Sequence, residues 1–409
     1  MTAVVPRTVI VGASVGGVRT AQALRAEGYD GEILLVDRDA ELPYDKPPLS
    51  KGLLSGKSEL AAIRLLTAEK AADLGVELRL GVAVTSLDSL ARRVELADGS
   101  TESYDHLVIA TGATADPGPW GRREGIHVIR TFADTAALRA DLDLGGPVVV
   151  IGSGFVGAEV AATTRELGHE VHLVDLAATP MGRGFEADVG QRFAALHEDR
   201  GVHCHFGVGV DAVEGTRGDL TVHLTDGTAL AAGVVVVGIG ARSNTGWLDG
   251  SGLKVDDGVV TDEFLRARGV EGVFAVGDVC RWFDPPSGRY VRVEHWTNAV
   301  DQAVCVAHNV VAPDDLRSYA CAEYVWTDQY DWKAQVVGRH AGAVVREEVA
   351  GGRGFAVLYG DADGTLMGAA VVNWPKALVA TRKALASRMS FAEVADRLRP
   401  APATDGAGA

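Results

Sequence analysis

The sequence predicts an α/β fold: two Rossmann-like dinucleotide-binding domains followed by a smaller α+β C-terminal domain. A strand, a glycine turn, a helix and a second strand ending in an acid occur twice, near residues 8–37 and 148–175. A chain of 409 residues suits two or three domains. Fifty glycines, 47% hydrophobic residues and only 6% aromatics suit a protein with many tight strand-to-helix turns.

In the first copy, the β-branched run Thr8–Val11 ends in Gly12-Ala13-Ser14-Val15-Gly16-Gly17, and Val18–Glu27 reads as a helix closed by Gly28. The next strand, Ile33–Val36, ends at Asp37, with Asp39 as a competing acid. In the second copy, Val148–Ile151 leads into Gly152-Ser153-Gly154-Phe155-Val156-Gly157, a helix from Ala158 to Leu167, the stop Gly168, and a strand ending at Asp175. The glycines let backbone approach a pyrophosphate, whose charge meets free N–H groups at a helix N-terminus, and each carboxylate is placed to accept from ribose hydroxyls. One such turn is weak support, because steric reasons alone put glycine between strands and helices. Two, each with its acid in place, are strong. Ser14 departs from the pattern at the second glycine position. Leu176-Ala177-Ala178 after Asp175 supplies no Arg for a 2′-phosphate, so NADH is expected over NADPH, although Arg183 further along could still reach such a phosphate. The bland alternative is a purely structural Asp175.

A net charge of -16 opposes nucleic-acid binding. Cys204, Cys280, Cys305 and Cys321 are scattered without metal-ligand spacing, so no metal site and no internal iron–sulfur centre are expected. The N-terminus lacks a signal-peptide pattern and no apolar run reaches membrane-spanning length, which predicts a soluble cytoplasmic protein with no membrane partner. The composition of residues 400–409 predicts a disordered tail.

Between the two copies, Leu42-Pro43-Tyr44-Asp45-Lys46-Pro47-Pro48-Leu49-Ser50-Lys51 resembles the PYxRPPLSK signature of the FAD-dependent, NADH-using ferredoxin reductases that serve bacterial cytochrome P450 and ring-hydroxylating oxygenase systems. Ile109–Ala113, Arg130–Asp134, Val237–Gly240, Phe274–Asp278, Glu294-His295-Trp296, Asn298-Ala299 and Val325–Gln329 match the same family in order. The resemblance implies a glutathione-reductase-like arrangement: a discontinuous FAD domain of residues 1–115 and 242–320, an NADH domain of 116–241, and a C-terminal domain of 321–399. It implies FAD and NADH as cofactors and a separate iron–sulfur ferredoxin as acceptor.

The same resemblance assigns roles. Gly12, Ser14, Gly16, Gly17, Asp37 or Asp39, Lys46, Pro47, Thr111, Gly112, Arg130, Gly277, Asp278, Glu294, His295 and Trp296 are expected around FAD, and Gly240 at a cofactor. Gly152, Gly154, Phe155, Val156, Gly157 and Asp175 are expected around NADH. Lys51 and Glu159 are expected to pair beside the flavin, against the alternative of an exposed surface pair, and Trp326 to cover the flavin face rather than fill a core. Asp278 is expected to meet the ribityl chain and also to cap a following helix. Lys46 stands where the family has Arg, and after Gly112 the chain reads Ala-Thr-Ala-Asp without the Arg that often follows. The locally basic residues Lys376, Arg382, Lys383, Arg388, Arg397 and Arg399 suit an acidic ferredoxin. A disulfide reductase would need a redox cysteine near the signature, where the chain has Ser50. A rubredoxin reductase, an apoptosis-inducing-factor-like flavoprotein and a non-catalytic FAD-binding protein are the remaining alternatives.

Overall fold

The computed structural model describes residues 5–182, 184–285, 287–321 and 323–399; Arg183 and the tail from Pro400 lie outside them. The chain divides into two compact units, one made of the residues up to Met181 with Gln191–Cys321, the other of Gly182–Gly190 with the residues beyond Cys321.

The first unit holds two five-stranded parallel sheets of the same design. One runs Val273–Ala275, His106–Ile109, Arg7–Val11, Glu32–Asp37, Val76–Leu80. The other runs Val202–Phe206, Val171–Asp175, Val148–Ile151, Val234–Val237, Ile126–His127. The central strands are covered on both faces, which is why they read as unbroken apolar runs: Val9, Ile10, Val148, Val149 and Val150 are fully buried. The first sheet draws Val273–Ala275 from far along the chain, pairing Val273 with Leu107. A short antiparallel ribbon, Ala113–Ala115 with Ala241–Ser243, sets both crossings between the sheets side by side.

Both glycine-turn helices start three residues earlier than the sequence suggests, at Val15–Ala26 and Phe155–Glu166. The third glycine of each motif, Gly17 and Gly157, lies inside the first helical turn, where its missing side chain permits close packing. The stops fall as expected, with Gly28 and Gly168 at φ 85° and 96°. Helix Val15–Ala26 buries Val18, Ala21 and Leu24 in the same core as Ala303, Val306, Ala307 and Val310 of helix Trp296–Val311.

The second unit carries a five-stranded sheet ordered Tyr324–Gln329, Trp332–Gly338, Leu366–Val372, Gly354–Gly360, Val345–Gly351. It is antiparallel throughout, because hairpins and short connections join its strands. Helices Pro375–Ala386 and Phe391–Leu398 bury Ala377, Ala384, Phe391, Val394 and Leu398 in its core. Among the described residues, no helix is long and apolar enough to cross a membrane.

Candidate active site

Each glycine turn follows the central strand of its sheet. At the first glycine the backbone is left-handed, φ 110° at Gly12 and 98° at Gly152, and a Cβ would stand 2.2 Å from the Ala110 carbonyl oxygen and 2.5 Å from that of Gly238. At the third, a Cβ on Gly17 would lie 1.8 Å from the Gly12 carbonyl oxygen and one on Gly157 1.9 Å from that of Gly152. Packing within the protein explains these four. It does not explain Gly154, whose φ is ordinary and whose Cβ would meet nothing within 4 Å. Glycine there leaves room for a group outside the chain, as a pyrophosphate above the helix N-terminus requires. Ser14 at the matching place makes no side-chain capping bond. Phe155 and Val156 open the second helix, with Val156 exposed.

Asp37 rather than Asp39 reaches the first turn: its Oδ2 accepts from Ala13 N at 2.5 Å, while Asp39 Oδ2 accepts from the Tyr44 hydroxyl at 2.8 Å. That hydroxyl also accepts from Phe132 N at 2.9 Å, so Tyr44 ties the signature segment to the start of helix Phe132–Leu142. Burial pushes its phenol well above the usual range and keeps it a donor. A cavity of about 280 Å³ beside Gly12 and Asp37 is lined also by Arg38, Thr111, Asn244 and Trp247.

Positive charge gathers next to this turn. Arg130 donates to Asp278 Oδ2 at 2.6 Å and to the Ala113 carbonyl at 2.9 Å. Lys46 Nζ sits 3.3 Å from the Arg130 carbonyl oxygen and 5.0 Å from the Tyr44 ring centroid. Burial, and then the Arg130 guanidinium, push the Lys46 ammonium down to about 8. An anion placed here would relieve that unfavourable charge, so the residues fit a pyrophosphate. Pro47 begins the short turn Pro47–Ser50 directly after.

Gly277, at φ 77°, donates its N–H to the buried Gln302 at 2.7 Å. Asp278 caps no helix, contrary to expectation: Gly277–Val279 is one short turn that runs into strand Cys280–Asp284, and the carboxylate is taken by Arg130. Thr111 and Gly112 are pinned by Asn244, which donates to the Thr111 carbonyl at 2.8 Å, accepts from Thr114 Oγ1 at 2.7 Å and gives its N–H to Gly112 O at 2.9 Å. Glu294 is held by Arg292 at 2.6 Å, and the same guanidinium reaches the Asp278 carbonyl at 3.1 Å. His295 precedes helix Trp296–Val311, and Trp296 Nε1 donates to Asp45 at 2.8 Å. Gly240, at φ 133°, leads into the ribbon at Ala241. Asn244, Arg292 and Gln302 carry no sequence signal that marks them for this site.

Lys51 and Glu159 come together at 2.7 Å, with the Ser50 hydroxyl donating to the same Glu159 oxygen at 2.5 Å and Lys51 Nζ donating to the Pro47 carbonyl at 3.2 Å. The Glu159 side chain is 5% exposed and that of Lys51 21%, so this is no surface pair. Thr163 donates to the Ser50 carbonyl at 2.8 Å, fixing helix Phe155–Glu166 of one sheet to the signature turn that follows the other.

In the second unit, Trp326 is partly exposed and stacks on Tyr324 at 5.8 Å, with the Arg382 guanidinium 4.8 Å from the Tyr324 ring centre. Lys376, Arg382, Lys383 and Arg388 are exposed, whereas Arg397 is paired with Glu393, and Arg399 with Glu347 and Asp396. All four cysteines are free thiols, and burial pushes Cys204 and Cys280 up to about 12 and Cys305 up to about 11. None of these three offers the thiolate that disulfide exchange needs. Among the described residues no group of His, Cys, Asp and Glu is arranged to hold a metal ion.

Two glycine turns on duplicate parallel sheets, locked to each other through a buried ion pair, define an oxidoreductase that handles two dinucleotides, FAD and NAD(H). The chain belongs to the pyridine nucleotide-disulphide oxidoreductase family, whose model matches residues 6–303, and its residues 324–400 match the reductase C-terminal model. It is 38% identical to the anthranilate 1,2-dioxygenase system ferredoxin–NAD(+) reductase component of Burkholderia cepacia over 93% of this chain and 94% of that one. A ferredoxin reductase for the CYP199A2 system from Rhodopseudomonas palustris superposes with a TM-score of 0.90 at 31% identity, covering 96% and 97% of the two chains. The putidaredoxin reductase in a covalent complex with putidaredoxin gives 0.89 at 30% identity, covering 96% of each.

Proposed function

We propose that this chain is an NADH-dependent ferredoxin reductase, taking hydride from NADH onto FAD and delivering electrons singly to an iron–sulfur ferredoxin that serves a cytochrome P450 or a ring-hydroxylating oxygenase. The observation that carries it is the Lys51–Glu159 contact, which joins the helix after the second glycine turn to the signature turn beside the first. FAD, when bound, supplies the chemistry that couples a two-electron donor to a one-electron acceptor. Gly12, Ser14, Gly16, Gly17, Asp37, Lys46, Arg130 and Asp278 hold it, within a domain of residues 1–115 and 242–320. Gly152, Gly154, Gly157 and Asp175 hold NADH within 116–241. Asp175 with no basic residue directly after it favours a free 2′-hydroxyl. Lys51 and Glu159 orient the nicotinamide. Four free thiols suit the cytoplasm, where NADH is available.

Lys46 gives this reading a pH signature. Its pKa lies near 8, below its ordinary value. Pyrophosphate binding needs the protonated ammonium, so FAD affinity is constant below that pH and weakens above it, by up to about tenfold per unit. Measuring the FAD dissociation constant from pH 6 to 10 checks this; Lys46→Met binds more weakly below pH 8 and loses the slope.

Ferredoxin-dependent reduction of cytochrome c tests the acceptor: omitting the ferredoxin abolishes it, and a rubredoxin in its place fails to restore it. The exposed Lys376, Arg382, Lys383 and Arg388 form the docking face. Reversing Arg382 and Lys383 to Glu raises the KM for ferredoxin about tenfold and leaves NADH-driven ferricyanide reduction unaltered. An unchanged KM removes this face from the proposal.

A further inference from the structure

The two acids that end the second strands are bonded differently. Asp37 accepts one hydrogen bond on each oxygen, from Ala13 N at 2.5 Å on Oδ2 and from Asp39 N at 2.8 Å on Oδ1. Asp175 also accepts one on Oδ1, from Ala177 N at 2.8 Å. Its Oδ2 accepts two, from Ser153 N at 2.6 Å and from the Ser153 hydroxyl at 2.7 Å. Ser153 is the counterpart of Ala13, directly after the first glycine of its turn, and only 1% exposed.

A carboxylate oxygen offers about two lone-pair sites. Asp37 therefore keeps one free on each oxygen, which matches the paired hydroxyls of a ribose. Asp175 keeps one, on Oδ1. A nucleotide that remains bound and one that must leave after every turnover place opposite demands on these acids, and the two turns differ in the direction those demands require.

We infer that the Ser153 hydroxyl competes with the adenosine ribose for Asp175, keeping nucleotide binding at the second turn reversible. The inference rests on NADH occupying that turn. A ribose hydroxyl that approaches Oδ2 has to displace the Ser153 hydroxyl, exchanging one charge-assisted bond for another with little net gain. With alanine at 153 the oxygen has a vacant site, and the ribose gains a bond at no such cost. If Ser153 served instead to orient Asp175, its removal would weaken binding, so the sign of the change separates the two roles.

Calorimetric titration of the FAD-loaded protein with ADP-ribose, which undergoes no redox reaction, tests this. Ser153→Ala binds ADP-ribose about 3- to 10-fold more tightly than wild type, the scale of one added hydrogen bond. The gain is smaller toward 2′-phospho-ADP-ribose, whose adenosine ribose keeps only the 3′-hydroxyl to donate. The reciprocal Ala13→Ser speeds FAD release. An unchanged or weaker ADP-ribose affinity in Ser153→Ala overturns the inference, as does an equal gain for both ligands. Failure of the wild-type protein to bind ADP-ribose at all would instead remove NADH from this turn, so the two failures are distinguishable.

Discussion

Gly157→Ala retains its flavin and loses reduction of that flavin by NADH. An alanine Cβ at 157 would stand 1.9 Å from the Gly152 carbonyl oxygen and 3.5 Å from Val150 Cγ1, while the Gly238 backbone closes the other side, its own Cβ position being 3.3 Å from Gly157 Cα. The obstacle is backbone, which cannot rotate aside, so helix Phe155–Glu166 has to lift. Overpacking of this kind costs roughly 1–3 kcal/mol in stability. The catalytic loss is larger, because the same helix presents the N–H groups at Gly154 and carries Glu159, and a displacement of about 1 Å can cost 10²-fold in rate. Anaerobic stopped-flow absorbance should show flavin reduction slowed by about 100-fold or more. Gly17→Ala, with a Cβ 1.8 Å from the Gly12 carbonyl oxygen, does the corresponding damage on the other sheet and yields protein without flavin.

Lys51→Met is the second large effect. It takes the ammonium away from Glu159, 5% exposed, while the Ser50 hydroxyl still donates to Oε2. Removing one partner of a fully buried pair costs about 3–5 kcal/mol, and the partial exposure of Lys51 brings the expected loss to about 2–3 kcal/mol. Chemical denaturation measures that, and the double variant Lys51→Met with Glu159→Gln recovers most of it because the buried negative charge is removed together with its ammonium. The rate of flavin reduction is not recovered, since nicotinamide orientation needs both side chains. Recovery of stability and rate together would reduce the pair to a structural clasp.

The parallel sheets and the two turns were legible because strands covered on both faces must be apolar and because Gly12, Gly17, Gly152 and Gly157 answer steric demands that only glycine meets. The Lys51–Glu159 pairing was legible through family resemblance, since 107 intervening residues leave no periodicity to read. Asn244, Arg292 and Gln302 were not legible: Gln302 acts on Gly277 and Asn244 on Thr111 across long stretches of chain, and an isolated polar residue such as Arg292 carries no local pattern. The helix cap assigned to Asp278 failed for the converse reason. A Gly-Asp pair after a strand has the local form of a helix start, but the pairing of Cys280–Asp284 with strand Val259–Thr261 prevails over that preference.

Mixing the purified protein with NADH in the absence of oxygen tests the central claim, that one chain holds two dinucleotides with their reacting rings in reach of each other. The account predicts a yellow protein whose visible flavin band bleaches within seconds and returns when ferredoxin and cytochrome c are added. A protein that stays colourless after reconstitution with FAD, or whose flavin band persists under excess NADH, contradicts it.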